Sequence, residues 1–107
     1  PVDSITDQRF YSEFAYARHI WLHALAEQRI KMQMEVPVIR VVSIGEHGLT
    51  VEPRKETEFD RYVQHIGALY VKGVAQLAGP DPDSVYFAYA CFQQVNKEFQ
   101  EQLKLEK

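Results

Sequence analysis

His19 and His23 lie four residues apart in a stretch without Pro or Gly. Residues four apart are neighbours on one face of a helix, so two imidazoles at this spacing can bind the same metal ion. A zinc protease would also need a glutamate directly after the first histidine, where this sequence has Ile20. A third ligand would have to come from His47 or His65, and nothing in their spacing requires it. We therefore predict two helix-surface histidines and no bound cofactor, with a metal site at His19, His23 and His65 as the alternative.

No other group of residues suggests catalysis. Cys91 is the single cysteine, which excludes an intrachain disulfide and any zinc site or redox motif built from two cysteines of one chain. The serines fall in predicted helices, caps or a strand, and none lies at the Gly-flanked elbow of a serine hydrolase. The sequence GEHG at 45–48 lacks the glycine spacing and the following helix of a phosphate-binding loop. We predict that the chain is not an enzyme.

Length, composition and charge indicate a single globular domain. The chain has 107 residues, a formal net charge of −3 and 46% hydrophobic residues. Nucleic-acid-binding domains usually carry a basic excess on one face, so this charge argues against DNA or RNA as the partner. No apolar run reaches the roughly 20 residues that span a membrane. We expect a cytoplasmic protein, or a soluble fragment of a larger one.

Three segments have the apolar spacing of amphipathic helices. The first is predicted at about 5–34, with core-facing residues at intervals of three and four: Phe10, Phe14, Ala17, Trp21 and Leu25. The second, at about 57–78, begins with Thr57 and Asp60 at the spacing of a capping box and stops at a Gly-Pro pair. The third, at about 82–104, follows almost at once, so these last two helices should form an antiparallel pair.

Residues from about 36 to 52 are rich in β-branched side chains on both sides of the GEHG turn. This pattern predicts a β-hairpin. Its first strand is apolar on both faces, and an isolated hairpin is marginal in water, so we expect helices or a second subunit to cover it. The predicted fold class is α+β, mostly helical: a long helix, a β-hairpin and two antiparallel helices in one domain, residues 1–107, packed as a homo-oligomer.

Several large apolar side chains fall outside the predicted core stripes of the helices and on the second face of the first strand. In a small domain, a second apolar face indicates contact with another subunit or with a partner protein. The predicted interface residues are Tyr16, Ile20, Ile30, Val41, Tyr86 and Phe87. We predict a non-enzymatic interaction or assembly module that forms a homo-oligomer, or binds another protein, through apolar helix faces and the hairpin edge.

Two alternatives remain open from the sequence. In the first, a small dimeric regulator binds DNA or RNA through a positive surface gathered from Arg9, Arg18, Arg29, Lys31 and Arg54. In the second, a pocket binds a metal ion or a small ligand, and its lining residues are Tyr16, His19, His23 and His65.

Overall fold

In a computed structural model, the chain forms three long helices. The structure describes residues 7–34, 41–45, 48–51 and 54–106. Helix α1 spans Asp7–Met34, helix α2 spans Glu58–Leu77 and helix α3 spans Ser84–Leu105. Apolar residues recur along each helix at intervals of three and four, so each has a face to bury against the other two. Within the described residues, no helix combines the length and the apolar character needed to cross a membrane.

The predicted capping box at the start of α2 is confirmed. The Thr57 hydroxyl accepts a hydrogen bond from the Asp60 backbone N–H at 3.1 Å, and the Asp60 carboxylate accepts one from the Thr57 backbone N–H at 2.9 Å. These two bonds satisfy donors that the first turn of a helix otherwise leaves free. The start of α3 differs, because the Asp83 backbone N–H donates to the Asp81 carboxylate and no side chain caps the helix.

Contacts between the helices define their directions. Gly73 of α2 lies against Phe92 of α3, and His65 of α2 meets Glu98 further along α3, so these two helices run antiparallel.

Helices α1 and α3 meet in the other sense. Phe10 of α1 packs beside Tyr89 of α3, and further along both helices Glu13 accepts a hydrogen bond from Asn96. Helices α1 and α3 are therefore parallel, and α2 runs against both.

The core lies where the three helices meet. Its buried members are Ala17, Ile20, Ala24, Val63, Ile66, Ala88, Phe92 and Val95. Two glycines of α2 allow close packing, since a Cβ atom at Gly67 would lie 2.6 Å from the Trp21 ring nitrogen, and one at Gly73 would lie 2.8 Å from the Phe92 ring. At both positions glycine is needed because a neighbouring aromatic ring occupies the space of a side chain.

The buried face of α1 is wider than predicted. Ile20 and Ala24 belong to the core, whereas Leu25, expected to face the core, is exposed. The reason is that α1 contacts both α2 and α3, so its buried face turns partly towards α3. Ile20, predicted as an interface residue, packs in the core of its own chain and keeps 8% of its surface accessible.

The predicted α+β class is wrong, because the core is all-helical and formed by three helices alone. Two short extended segments, β1 at Val41–Gly45 and β2 at Gly48–Val51, pair with each other in antiparallel register. The main contacts between elements join helix to helix or strand to strand. A β-hairpin layer packed against the helices is therefore not present in the described part of the chain. Helix α1 instead buries its apolar face on α2 and α3.

Candidate functional site

A groove opens between α1 and α3, along the middle of α1 and the second half of α3. Its volume is about 850 Å³. The α1 side is lined by Glu13, Tyr16, His19, Ile20, His23, Ala24 and Glu27, and the α3 side by Gln93, Asn96, Lys97, Phe99, Gln100, Gln102, Leu103 and Glu106. Phe59 and Tyr62 from the start of α2 close the bottom. We call this feature the α1–α3 groove.

The floor of the α1–α3 groove is apolar and its rim is polar. Ile20 and Ala24 are buried, while Phe59, Tyr62 and Phe99 are half-buried and pack against the core. The floor residues from α1 are small or medium in size, so they leave room above them. An apolar floor beneath polar edges is the usual build of a protein or ligand binding surface.

A buried carboxylate fixes the α2 end of the groove. Asp60 accepts hydrogen bonds from Gln28 of α1 at 2.8 Å and from Arg54, in addition to its bond within the capping box. The Arg54 guanidinium, the Thr57 backbone and Gln28 hold the pKa of Asp60 well below its ordinary value. This network ties the first turn of α2 to α1, and so positions Phe59 and Tyr62 on the groove floor.

Three acidic side chains act on Tyr62 at that end of the groove. Burial raises the pKa of the Tyr62 hydroxyl to about 12, and the charges of Glu106, Glu27 and Glu98 act in the same direction. Glu27 also lies 3.6 Å from the Lys31 ammonium, which sits 3.8 Å from the centre of the Phe59 ring. The acidic side chains therefore favour a positively charged or hydrogen-bond-donating group at this end.

The opposite end of the groove is closed by a bond between the helices. The Asn96 amide donates to the Glu13 carboxylate at 2.6 Å and to the Glu13 backbone carbonyl at 3.2 Å. The side-chain oxygen of Asn96 is buried and has no hydrogen-bond partner among the described residues. Buried polar atoms of folded proteins nearly always have a partner, so this oxygen is an exception.

The groove brings together residues that the sequence assigned to different roles. Tyr16 and Ile20, predicted at an interface, line it beside His19 and His23, predicted as the alternative metal ligands. Tyr16 and both histidines are exposed, and the two imidazole centres are 6.2 Å apart. Three of the four residues of the predicted ligand pocket therefore share one surface.

The fourth residue of that pocket, His65, lies elsewhere. It is on the α2–α3 side, with Nε2 at 3.3 Å from the Glu98 carboxylate. A hydrogen bond from Gln94 lowers the pKa of Glu98, and His65 contributes in the same direction. In the part of the chain that the structure describes, no three His, Cys, Asp or Glu side chains form a group able to hold a metal ion. The structure does not bring His65 to His19 and His23, and His47 lies outside the described residues.

The remaining predicted interface residues occupy separate places. Ile30 and Phe87 are exposed, on α1 and α3 respectively, whereas Tyr86 is half-buried. Val41 lies in β1, and its side chain is outside the described part of the structure. Ile30, Tyr86 and Phe87 do not line the α1–α3 groove.

The basic residues of the nucleic-acid alternative are partly engaged within the fold. Arg54 is bound to the buried Asp60, and Lys31 is placed over the Phe59 ring beside Glu27. Arg18 and Arg29 are exposed on α1. Two of the five basic residues are therefore held by partners within the fold.

Sequence reasoning missed two parts of the site. The α3 wall, rich in amide side chains, was not predicted, because its neighbour across the groove is about 80 residues away in sequence. The sequence also did not indicate that Gln28 and Arg54 bind Asp60. The available signal was the capping box, since a carboxylate three residues after an N-cap is a place where such partners are found.

Comparison with known proteins found no matching family model, no matching curated protein and no matching solved structure. A functional assignment for this chain therefore rests on the geometry of its own residues.

Proposed function

We propose that the chain is a non-enzymatic protein-interaction module that self-associates through apolar helix surface. The observation that carries this proposal is the α1–α3 groove, in which a long apolar floor stays open between two helices of a three-helix core. A fourth helix laid in such a groove would bury this floor, and removal of apolar surface from water is the main driving force of protein association. The hairpin edge is not part of the proposal.

The exposed apolar side chains of α1 add support. Tyr16 and Ile30 are exposed by 67% and 54%, and Met34, at the end of the same helix, by 76%. Large apolar side chains grouped on one helix face are typical of a contact surface rather than of a solvated helix.

Light scattering across a range of protein concentrations tests the proposal. We expect a molar mass above the 12.4 kDa of one chain, falling towards that value on dilution. Phe99→Glu, which places a charge on the groove floor, should shift the mass towards the monomer, whereas Val71→Glu on the exposed surface of α2 should not. A constant 12.4 kDa at every concentration would contradict self-association.

A second candidate function, small-ligand or metal binding, is favoured by the position of Tyr16, His19 and His23 on one groove. Titration calorimetry with Zn²⁺ on protein without a histidine tag tests this candidate. Heat that disappears in the His19→Ala, His23→Ala double variant would support it. Equal heats for both proteins would contradict it.

A further inference from the structure

A stripe of residues on α1 continues the groove wall to the end of the helix. Its members are Tyr16, Ile20, His23, Glu27, Ile30 and Met34, at intervals of four, three, four, three and four. This alternation keeps side chains on one side of a helix and is the pattern of a coiled-coil seam. The first four members line the α1–α3 groove, and the last two extend beyond it. We call these six residues the α1 seam.

The α1 seam is apolar at both ends and polar in the middle. Tyr16, Ile30 and Met34 are exposed, while Ile20 forms part of the groove floor. The two central members, His23 and Glu27, have complementary hydrogen-bonding chemistry, because an imidazole N–H donates and a carboxylate accepts. If a second copy of α1 runs in the opposite direction with the centres of the two seams aligned, the apolar ends of one seam therefore meet the apolar ends of the other.

We infer that α1 of a second copy lies antiparallel along the α1 seam, in the register that places His23 opposite the partner's Glu27. The same register places Ile20 opposite the partner's Ile30 and Tyr16 opposite the partner's Met34. The two residues of each pair lie at equal distances on either side of position 25, so a two-fold axis at that position makes every pair twice. The partner's Ile30 then covers the Ile20 floor of the groove.

Charge and polarity single out this register. A parallel arrangement would place Glu27 opposite the partner's Glu27, two like charges in contact. Antiparallel registers shifted by one heptad would place Ile20 opposite the partner's His23, or Ile30 opposite the partner's Glu27. Such pairs bury a polar group against an apolar one, which is unfavourable. A polar pair within an apolar seam is also a known device for fixing register in coiled coils.

This inference rests on the proposed self-association, and the first test separates the two. Ile30→Asp and Met34→Asp change exposed residues, so the monomer should fold normally. Because each change affects the dimer twice, we expect the dissociation constant to rise by about 100-fold or more, measured by analytical ultracentrifugation. Met32→Asp is the matched control. It introduces the same charge on the same helix, outside the α1 seam, and should change the constant less than about threefold.

A charge-exchange cycle tests the register. His23→Glu alone places a carboxylate opposite the partner's Glu27, and Glu27→Lys alone places an ammonium opposite the partner's His23. Each should weaken the dimer by roughly tenfold. The double variant restores an opposite-charge pair twice in each dimer, and we expect affinity within about threefold of the original protein. Helix content by circular dichroism, measured at a monomeric concentration, controls for changes within α1.

Distances between spin labels test the direction of the second helix. With a rise of 1.5 Å per residue and the axis at position 25, labels at Gln33 should lie about 24 Å apart along the helix, and labels at Gln8 about 51 Å apart. A parallel pair would give similar short distances at both sites.

The possible results lead to different conclusions. A monomer at all concentrations would overturn both the proposed function and this inference. A dimer that Ile30→Asp and Met34→Asp leave intact would overturn the α1 seam alone, and the self-association proposal would stand. A dimer weakened by these changes but not restored by the charge exchange, or with short distances at both label sites, would overturn the antiparallel register.

Discussion

The two halves of the contact between α1 and α3 differ in how they are filled. Near the start of both helices, the rings of Phe10 and Phe14 meet the Phe92 ring, with centres 6.0 and 5.1 Å apart, and Tyr70 of α2 joins them at 5.8 Å. Further along, the same two helices leave the α1–α3 groove between Ile20 and Phe99. Aromatic rings from all three helices fill the first half, whereas the smaller side chains of Ile20 and Ala24 on α1 leave the second half open. We expect the closed half to carry most of the stability and the open half to carry binding.

The largest expected effect comes from removing the central ring of the closed half. Phe92 is fully buried, so Phe92→Ala should lower the free energy of unfolding by about 3–5 kcal/mol. Phe99→Ala removes the same side chain from the half-buried groove floor of the same helix, and should cost about 1–2 kcal/mol. Urea denaturation at a monomeric concentration measures both. Equal losses would show that the two halves contribute alike.

The second-largest effect is expected at Gly73 of α2, which lies close against the Phe92 ring. In Gly73→Ala, the new methyl group would lie 2.8 Å from the buried Phe92 ring. Overpacking costs typically about 1–3 kcal/mol, and the better helix propensity of alanine returns up to about 1 kcal/mol, so we expect a net loss of about 1–2 kcal/mol. Gly79→Ala is the control, because its nearest atom would lie at 3.4 Å. Its thermal unfolding temperature should barely change.

A smaller, pH-dependent effect is expected at Asp60, which holds the end of the open half in place. Its pKa is lower in the folded than in the unfolded chain, where it is near 3.9. The stabilisation is therefore present above about pH 4 and is lost as the pH falls further. Thermal unfolding between about pH 2 and 6 should show a steeper loss for the original protein than for Asp60→Asn. Equal slopes would contradict the role assigned to this carboxylate, and the exposed Asp7→Asn serves as control.

The smallest effect concerns the negative end of the groove. Because the pKa of Tyr62 is raised to about 12, its contribution to stability is present below about pH 10 and is lost as the pH rises through 12. Ultraviolet titration of the phenolate, with Tyr62→Phe to identify the step, measures this pKa. In Glu106→Gln it should move towards the ordinary tyrosine value. A Tyr62 pKa unchanged by that substitution would show that Glu106 does not contribute to it.

Features that depend on neighbours in sequence could be predicted. The capping box at Thr57 and Asp60 follows from two residue types three positions apart, and its prediction is confirmed. Apolar spacing predicted helices at about 5–34, 57–78 and 82–104, and the structure has them at Asp7–Met34, Glu58–Leu77 and Ser84–Leu105.

Features that depend on the angle between helices could not be predicted. The apolar pattern of α1 does not reveal that two helices, rather than one, cover its face, and so the packing of Ile20 in the core was not predicted. The β-branched residues from about 36 to 52 were expected to form a hairpin packed against the helices. Sequence alone does not show that the helices bury their apolar faces on one another instead. The groove itself depends on where α1 and α3 separate, which no single residue specifies.

The short connection between α2 and α3 has a consequence for the order of folding. Only residues 78–83 separate these helices, so their contacts close a small loop, whereas Glu13 and Asn96 join positions 83 residues apart. Loop-closure entropy grows with this separation, which favours early pairing of α2 with α3 and late docking of α1. The helix that forms the proposed contact with a second copy is then the last to reach its place, and the rate of assembly after synthesis depends on that step.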